Sequence, residues 1–219
     1  MADARRFLIW GSSGHGRVLA DVITREGGSI DVLVDNDANA TACVPNSLLL
    51  HGETGLRRWL ESGPLLVPDS ASVAIGGARG ADRRSILGLL RRLGFDLPPI
   101  IHERACVSGA SAVGRGSHVL ANAVVAAGAR IGDAVIVNNG AVVDHECELE
   151  DGVHVCPGAT LCGLVFVEQD AMIGAGATVL PRTRIGRGAV IGSAANVTRD
   201  VPPGAVVVGN PARILRRTQ

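Results

Sequence analysis

The chain lacks tyrosine altogether, and phenylalanine and tryptophan supply only three and two of its 219 residues. Hydrophobic residues nevertheless make up 47% of the sequence, so the core must be built almost wholly from aliphatic side chains. An excess of charge is also missing, because 21 Lys and Arg residues balance 21 Asp and Glu residues. Proteins that bind nucleic acid or anionic membranes generally carry a basic excess, and we therefore expect neither partner.

Long apolar runs and paired cysteines are absent as well. No run reaches the roughly 18 residues of a membrane span, and the stretch 7–10 is too short for the apolar region of a signal peptide. The five cysteines are an odd number without a C-x-x-C pair, which is typical of reduced thiols. We expect a cytoplasmic protein of one compact domain or two small ones. The 29 glycines indicate many tight turns.

Residues 1–100 alternate between short apolar runs and runs of helical period. Strands are predicted at 7–10, 31–34 and 72–75, and helices at 17–25, 56–60 and 81–93. This order is typical of a small, Rossmann-like parallel sheet in an α/β domain. Because about 100 residues are too few for a full two-lobed dinucleotide fold, we expect a single small domain.

A strict six-residue repeat replaces the helical period after Pro98 and Pro99. Aliphatic residues occupy every sixth position from Val107 to Val197, and the fifth place of each hexad holds a small residue. Neither a helix nor an ordinary strand has this period, so the repeat indicates stacked copies of one unit. Three hexads, one for each side, close one turn of a triangular coil. The sequence therefore predicts an all-β domain over residues 101–219, which consists of a parallel β-helix and a C-terminal tail.

Two features near the N-terminus are candidates for nucleotide binding. Residues 11–16 follow the order G-x-x-G-x-G between a predicted strand and helix, one residue off the usual dinucleotide fingerprint. Such a turn admits phosphates to the backbone and to a helix N-terminus, and His15 can donate to a phosphate oxygen. Asp35 ends the second strand, where an acid meets a ribose hydroxyl in nucleotide folds. A structural glycine turn and a solvated acidic turn are the alternatives.

His145 stands between two carboxylates, Asp144 and Glu146. A carboxylate bonded to one ring nitrogen fixes the tautomer and raises the basicity of the other nitrogen, which suits a general base. The alternative is an exposed histidine in an acidic turn. Among the other histidines, His102 is expected at the surface and His118 at a corner of the coil.

The repeat resembles that of the hexapeptide-repeat acyltransferases, over residues 101–217 and including the closing stretch VPPGAVVVGNPAR at 201–213. Residues 10–16, WGSSGHG, look like the start of the sialic-acid and nucleotide-sugar N-acetyltransferases of bacterial glycan biosynthesis. Residues 143–154, VDHECELEDGVH, are similar to their catalytic segment. The resemblance spans nearly the whole chain and implies a left-handed parallel β-helix that assembles as a homotrimer.

The resemblance also implies roles for individual residues. One group would contact the nucleotide-sugar: Ser13, Gly14, His15, Asp35, Asn36 and Gly76. A second group would carry the catalysis, with His145 as the base, Glu146 tuning it and Asn138 near the substrate amine. A third group would line an acetyl-CoA groove between two subunits: His154, Gly163, Ala175 and Ser193. Members of the family often have a second acid where Asn36 stands, and this departure leaves the nucleotide base open.

The implied function is transfer of an acetyl group from acetyl-CoA to an amine of a UDP- or GDP-linked amino or deoxy sugar, with no metal. O-acetylation of a sugar such as sialic acid is the alternative within the enzyme class. A zinc-dependent hydratase of the carbonic anhydrase type is another alternative, and it needs three converging imidazoles. His118 and His154 lie in one column of the coil, two coils apart, and His145 lies in a different column. A regulatory nucleotide-binding protein on an inert scaffold is a further alternative.

Overall fold

The computed structural model describes residues 5–217. The pattern of contacts divides the chain into two units, each with its own core. The first comprises the residues up to 75 together with 85–98, and the second comprises 76–84 together with the residues from 99 onward. A short segment from the N-terminal half of the chain, residues 76–84, is thus grouped with the hexad repeat, and it contributes to the site described below.

The first unit is a parallel sheet with helices between its strands. In chain order, the elements are β1 (Arg6–Trp10), α1 (Gly14–Arg25), β2 (Ser29–Asp35), β3 (Leu48–His51), α2 (Gly52–Glu61), β4 (Ser70–Val73) and α3 (Gly80–Arg92). The strands lie in the order β3-β2-β1-β4 and all pair in parallel. The boundary between the two units falls within α3. The predicted α/β sheet is therefore confirmed.

Burial explains why these residues form a sheet covered by helices. The central strands are nearly continuous runs of buried aliphatic residues, among them Leu8, Ile9 and Leu33, as expected for parallel strands covered on both faces. Helix α1 buries an apolar stripe that includes Leu19 and Val22, and its other face is exposed. Because the strands run in parallel, the residues that follow β1, β2 and β4 meet at one edge of the sheet, which is where ligands bind in such folds.

Some helix and strand boundaries in this unit differ from those predicted from the sequence. Strand β3 was not predicted, because a run of only four residues does not separate a strand from a piece of helix. Helix α1 begins at Gly14 rather than at Arg17, so Gly14 and Gly16 belong to its first turn and not to a loop. A Cβ at Gly16 would overlap the carbonyl oxygen of Gly11 and lie 3.1 Å from Cys43 Sγ, which explains why glycine stands there. Strand β4 covers 70–73 rather than 72–75.

The second unit is a parallel β-helix whose short strands stack into three sheets, here called faces 1, 2 and 3. Face 1 contains β5 (Ile100–Ile101), β8 (His118–Val119), β11 (Ile136–Val137), β14 (His154–Val155), β17 (Met172–Ile173), β20 (Val190–Ile191), β22 (Ala205–Val208) and β23 (Arg213–Arg217). Face 2 contains β6 (Cys106–Val107), β9 (Val124–Val125), β12 (Val142–Val143), β15 (Thr160–Leu161), β18 (Thr178–Val179) and β21 (Asn196–Val197). Face 3 contains β7 (Ala112–Val113), β10 (Arg130–Ile131), β13 (Glu148–Leu149), β16 (Phe166–Val167) and β19 (Arg184–Ile185).

The predicted aliphatic lattice forms the core of the β-helix. From Val119 to Val197, every lattice residue is at most 4% exposed, and the small fifth residues of the hexads are buried beside them. Each strand pairs with the strand three hexads further on, as Val137 pairs with Val155. The prediction of a three-sided coil with one hexad on each side is therefore confirmed. Strand β22 continues face 1, and β23 pairs with it in the antiparallel sense.

The corners of the coil share one backbone conformation. Every sixth residue from Gly116 to Ala194 has a positive φ, and half of these positions hold glycine. Glu146, with φ at 55°, is one of the others, and its left-handed conformation costs about 1–2 kcal/mol. The turn that contains His145 therefore has the same backbone conformation as the other corners, and it differs from them in the side chains of His145 and Glu146. Among the helices formed by residues 5–217, none is long and apolar enough to cross a membrane.

Candidate active site

His145 projects from a corner between face 2 and face 3, where its side chain is 53% exposed. Its backbone N–H donates to Asp144 Oδ1 over 2.7 Å, which holds the turn. The ring Nδ1 lies 3.2 Å from Glu146 Oε2. Because an ionised carboxylate only accepts hydrogen bonds, Nδ1 carries the proton in this pair, and in the neutral ring the lone pair is on Nε2. This is the arrangement of a general base oriented by a carboxylate.

Glycines in the coils below and above make room for the His145–Glu146 pair. A Cβ at Gly128, one coil below, would lie 3.1 Å from Glu146 Cγ. A Cβ at Gly163, one coil above, would overlap the imidazole of His145, lying nearest to Nε2 and 2.9 Å from Cδ2. Gly163, which the resemblance placed in the acetyl-CoA groove, therefore also defines the space next to the candidate base.

His154 lies in strand β14 of face 1 and is 6% exposed. Its Nδ1 is 3.3 Å from the carbonyl oxygen of Gly77, and its Nε2 is 3.2 Å from Nδ2 of Asn138. Since the carbonyl accepts and the amide nitrogen donates, His154 is the Nδ1–H tautomer. Burial lowers the pKa of His154 to about 4, and the positive charge of Arg83 acts in the same direction. His154 is therefore a neutral hydrogen-bonding group with both ring nitrogens occupied.

The structure thus brings Asn138 to His154 and not to His145. Asn138 Oδ1 accepts the N–H of Asn139 over 2.8 Å, which leaves its NH₂ group directed at the imidazole. Gly76 also lies at this imidazole, since a Cβ there would be 4.0 Å from His154 Cε1. Asn138, His154, Gly76 and Gly77 form one cluster, which is separate from the His145 cluster within a single chain.

Ala175 and Ser193 lie on the corner between faces 1 and 2, and both are exposed. They occupy the same position in two successive coils, whose backbones are joined by the N–H of Ala194 donating to the carbonyl of Ala175 over 2.8 Å. Face 2 therefore has Ala175 and Ser193 along one margin and His145 with Gly163 along the other.

In the first unit, Asp35 joins the end of β2 to the turn that follows β1. Its Oδ2 accepts the N–H of Ser12 over 2.7 Å, and its Oδ1 accepts the N–H of Asp37 over 2.9 Å. Each carboxylate oxygen retains a lone pair for a ligand hydroxyl. Asp35 thus holds the shape of the glycine turn, which is a role beyond the ribose contact predicted from the sequence.

The start of helix α1 has the features of an anion site. Ser13 is the N-cap residue, and its side chain makes no capping hydrogen bond. Gly14 has open space where a side chain would stand, and the first turn contains no acidic residue. The N-terminus of a helix presents N–H groups and partial positive charge to an anion. His15 lies half-buried in this turn, and Asn36 is exposed at the end of β2.

Sequence reasoning missed Gly77, Gly128 and Arg83. Gly128 lies three hexads before Glu146, so the register of the coil could have identified it. Gly77 and Arg83 reach the site through tertiary contacts that no spacing in the sequence indicates.

Two histidines were misplaced. His118 is buried in strand β8 rather than on a corner, because the residue before each lattice position belongs to the strand. His102 is buried as well, with Nδ1 accepting the N–H of Arg104 over 3.0 Å.

The side chains of residues 5–217 include no group of three or more His, Cys, Asp or Glu that could hold a metal ion. His118 and His154 stand in register on face 1 with Ile136 between them. The cysteines found in residues 5–217 are all free thiols.

Comparison with known proteins places this geometry in a family. No family model matches the sequence, and no curated protein sequence matches it. Among solved structures, perosamine N-acetyltransferase from Caulobacter crescentus, in complex with CoA and GDP-perosamine, is 32% identical, with 98% of each chain covered and a TM-score of 0.88. The acetyltransferase domain of PglB from Neisseria gonorrhoeae is 36% identical, with 96% of this chain and 100% of that chain covered and a TM-score of 0.84.

A second structure of the Neisseria domain contains acetyl coenzyme A. WeeI from Acinetobacter baumannii is 23% identical over 97% of this chain and 100% of that chain, with a TM-score of 0.79, which supports the fold alone. The matches to the first two relatives cover 98% and 96% of this chain, and therefore both units. This chain belongs to the acetyl-CoA-dependent nucleotide-sugar N-acetyltransferases, whose catalytic domain is a hexapeptide-repeat, left-handed β-helix.

Proposed function

We propose that this enzyme moves the acetyl group of acetyl-CoA onto an amino group of a UDP- or GDP-linked deoxy sugar, with His145 as the general base. The observation that carries the proposal is the His145–Glu146 pair, an exposed imidazole whose Nδ1–H is held by a carboxylate and whose Nε2 faces Gly163. The Caulobacter relative, which binds CoA and GDP-perosamine, supports this class of substrate.

The proposed reaction needs no covalent intermediate on the protein. The neutral amine attacks the thioester carbonyl carbon, so that a C–N bond forms and the carbonyl oxygen becomes an oxyanion. His145 Nε2 accepts the proton that the amine loses. When the oxyanion collapses, the C–S bond breaks and the thiolate leaves with a proton returned from His145. A backbone N–H stabilises the oxyanion in this scheme.

His154 and Asn138 are proposed to hold the acyl donor rather than to move protons. Both nitrogens of the His154 ring are already hydrogen-bonded, and its low pKa keeps it neutral. In the two coils that follow His154, Ala175 and Ser193 are exposed on the corner between faces 1 and 2, and they are proposed to offer backbone groups to the rest of CoA.

The glycine turn of the first unit is proposed to hold the nucleotide diphosphate. Ser13, Gly14 and His15 lie at an N-terminus of α1 that is free of acidic residues, and this supports binding of phosphates. Asp35 and Asn36, at the end of β2, are proposed to meet the ribose and the base. Gly76 is proposed to contact the sugar, because it lies against His154.

We further propose that the active form is a homotrimer with face 2 at the subunit interface. The outward residues of face 2 carry no charge: Cys106, Val124, Val142, Thr160, Thr178 and Asn196. Face 3 instead presents the ion pair of Arg130 with Glu148 and a stack of Arg184 on Phe166. A second copy on face 2 would bring one subunit's His145 margin to the other's Ala175 margin and complete the groove.

The oligomer is tested with two arginine substitutions at matched outward positions. Val142→Arg places a charge on face 2, and Ala112→Arg places the same charge on face 3. Light scattering should show a trimer for the original protein and for Ala112→Arg, and smaller species with little activity for Val142→Arg. A fully active monomer would contradict both the trimer and the shared groove.

The reaction is tested by incubating the purified protein with acetyl-CoA and UDP-, GDP- or dTDP-linked amino sugars while free thiol is measured. Matched sugars with a hydroxyl in place of the amine serve as the control. Thiol release with one of the amino sugars alone is the expected result. Release only with the hydroxyl sugars would indicate O-acetylation. Nucleotide binding without any thiol release would indicate a nucleotide-binding protein that is not an enzyme.

We also propose a cytoplasmic location. The free thiols of the described residues agree with it.

A further inference from the structure

Two adjacent arginines attach residues 76–84 to the β-helix. Arg83 Nε donates to the carbonyl of Ala134 over 3.1 Å, and Arg83 Nη2 donates to the carbonyl of Gly152. Arg84 forms a bidentate pair with Asp170, with distances of 2.9 and 2.6 Å. Residues 134, 152 and 170 hold the same corner position in three successive coils, and each has a positive φ. We call residues 76–84 the arginine segment.

The arginine segment lies directly on the backbone of these corners. A Cβ at Gly80 would lie 2.8 Å from Asp170 Cα and would also overlap the carbonyl oxygen of Gly152. Glycine at position 80 therefore permits a backbone-to-backbone approach, which the two arginine side chains then fix. This placement delivers the other end of the segment, Gly76 and Gly77, to His154.

Arg83 also contacts the carbonyl that holds His154. Arg83 Nη1 donates to Gly77 O over 3.3 Å, and the same oxygen accepts Nδ1–H of His154 over 3.3 Å. A carbonyl oxygen has two lone pairs and can accept both donors. The contacts continue through His154 Nε2 to the amide of Asn138. A single chain of hydrogen bonds therefore connects Arg83 to the proposed acyl-donor site.

We propose that Arg83 is a positioning residue, which holds the Gly77 carbonyl in place and thereby fixes His154 as a neutral Nδ1–H tautomer with Nε2 directed at Asn138. The relevance of this geometry to catalysis rests on the proposed function, which places His154 and Asn138 at the acyl donor. The geometry itself does not depend on that function, and it can be measured separately.

The charges around the site support this role. Arg83 is 1% exposed, and burial lowers its pKa to about 10, although Asp170, Cys156 and Asp82 each oppose that shift. Arg83 is therefore still a cation at neutral pH. A second cation at His154 would be repelled by Arg83, and its new Nε2–H would point at the donor group of Asn138. Repulsion and hydrogen-bond geometry thus disfavour the same protonated state.

The test compares Arg83→Gln with Arg84→Gln. The second variant removes the other arginine of the segment but leaves Gly77 and His154 untouched, so it controls for a loss of attachment alone. Nitrogen-15 NMR of the histidine rings, with His154 assigned through a His154→Gln protein, reports tautomer and protonation. In the original protein and in Arg84→Gln, His154 should remain a neutral Nδ1–H ring down to about pH 5. In Arg83→Gln, the proton affinity of His154 should rise roughly tenfold and the Nε2–H tautomer should become populated.

Arg83→Lys keeps the proposal testable if Arg83→Gln does not fold. Lysine retains the charge but cannot reach three carbonyls, so His154 should stay neutral while its Nδ1–H exchanges faster with water. Unchanged His154 signals in whichever Arg83 variant folds, or equal changes in the Arg83 and Arg84 variants, would overturn the proposal.

Kinetics supply the link to catalysis. Arg83→Gln should raise KM for acetyl-CoA about tenfold, as for the loss of a hydrogen bond from a charged group, while KM for the nucleotide-sugar changes less. NMR changes at His154 without that kinetic effect would sustain the positioning role and instead refute the proposed placement of His154 at the acyl donor.

Discussion

Gly163 lies one coil above His145, and the imidazole occupies the space in which a side chain at position 163 would stand. The two residues share a position in successive coils. Stacking therefore places the candidate base under a residue that has no side chain, and access to Nε2 depends on glycine at that place.

Gly163→Ala should displace the His145 ring without disturbing the coil. Position 163 does not have a positive φ, so the backbone accepts alanine, while the new methyl group would overlap the imidazole. We expect kcat to fall by roughly 10²-fold, as for a small misplacement of a catalytic group. The matched control is Gly109→Ala, which lies at the same corner position three coils earlier and has no atoms within 4 Å. Equal activity of the two variants would contradict a role for the His145 ring.

His145→Ala should preserve the fold and remove most of the activity. The side chain is half-exposed, and the core beside it is formed by Val143 and Leu149. Loss of a general base lowers kcat by roughly 10²–10⁴, and KM for both substrates should change little because the base acts mainly on the transition state. Steady-state kinetics together with thermal unfolding measure both effects. A near-normal kcat would exclude His145 as the base.

Substitutions of Glu146 separate its electrostatic role from its backbone role. Glu146→Gln removes the charge that stabilises protonated imidazole, so kcat should fall, though less than in His145→Ala. Glu146→Gly removes the same charge and also relieves the left-handed strain at φ 55°. The unfolding temperature of Glu146→Gly should therefore equal or exceed that of the original protein while its activity falls. A loss of stability would indicate that the glutamate is mainly structural.

The β-helix could be predicted from the sequence because its information is periodic. One residue in six must be a large aliphatic, and each depends only on its equivalent in the next coil, so Val137 and Val155 carry the same signal as every other pair. His145 could also be found, since its carboxylate partner is the adjacent residue in the sequence. The candidate base could therefore be identified from local sequence alone.

The His154 cluster could not be predicted in the same way. Asn138 precedes His154 by 16 residues, which is neither a local spacing nor the three-hexad register of the coil. The amide of Asn138 reaches the imidazole from the corner that follows β11, one coil below His154. Arg83 lies in a helix that the sequence shows only as amphipathic, and it meets Gly152 through a tertiary contact across 69 residues. Contacts of this kind depend on how a non-repeating segment lies on the repeat, and periodicity contains no information about that.

Asp35→Ala should weaken binding of the nucleotide-sugar while binding of CoA changes little. The substitution removes the acceptor for the N–H groups of Ser12 and Asp37 and any contact to the ribose. Leaving a charge-assisted hydrogen bond unmade costs about 1–3 kcal/mol, which calorimetric titration with a nucleoside diphosphate can measure. Asp31→Ala, near the start of the same strand and paired with Arg6, is the control. Equal losses for nucleotide and CoA would contradict separate binding sites.

His154 should make the stability of the protein depend on acid pH. Its pKa is about 4 in the folded chain against an ordinary value of 6.5, so the unfolded chain binds the proton more tightly. Stability is therefore complete above pH 6.5 and decreases as the pH falls toward 4, by up to about 3 kcal/mol. The free energy of unfolding of the original protein and of His154→Gln should be measured from pH 7 to 4. The glutamine variant lacks the titrating ring, so its stability should fall less over this range, and identical slopes for the two proteins would show that His154 is not held neutral by its burial and its neighbours.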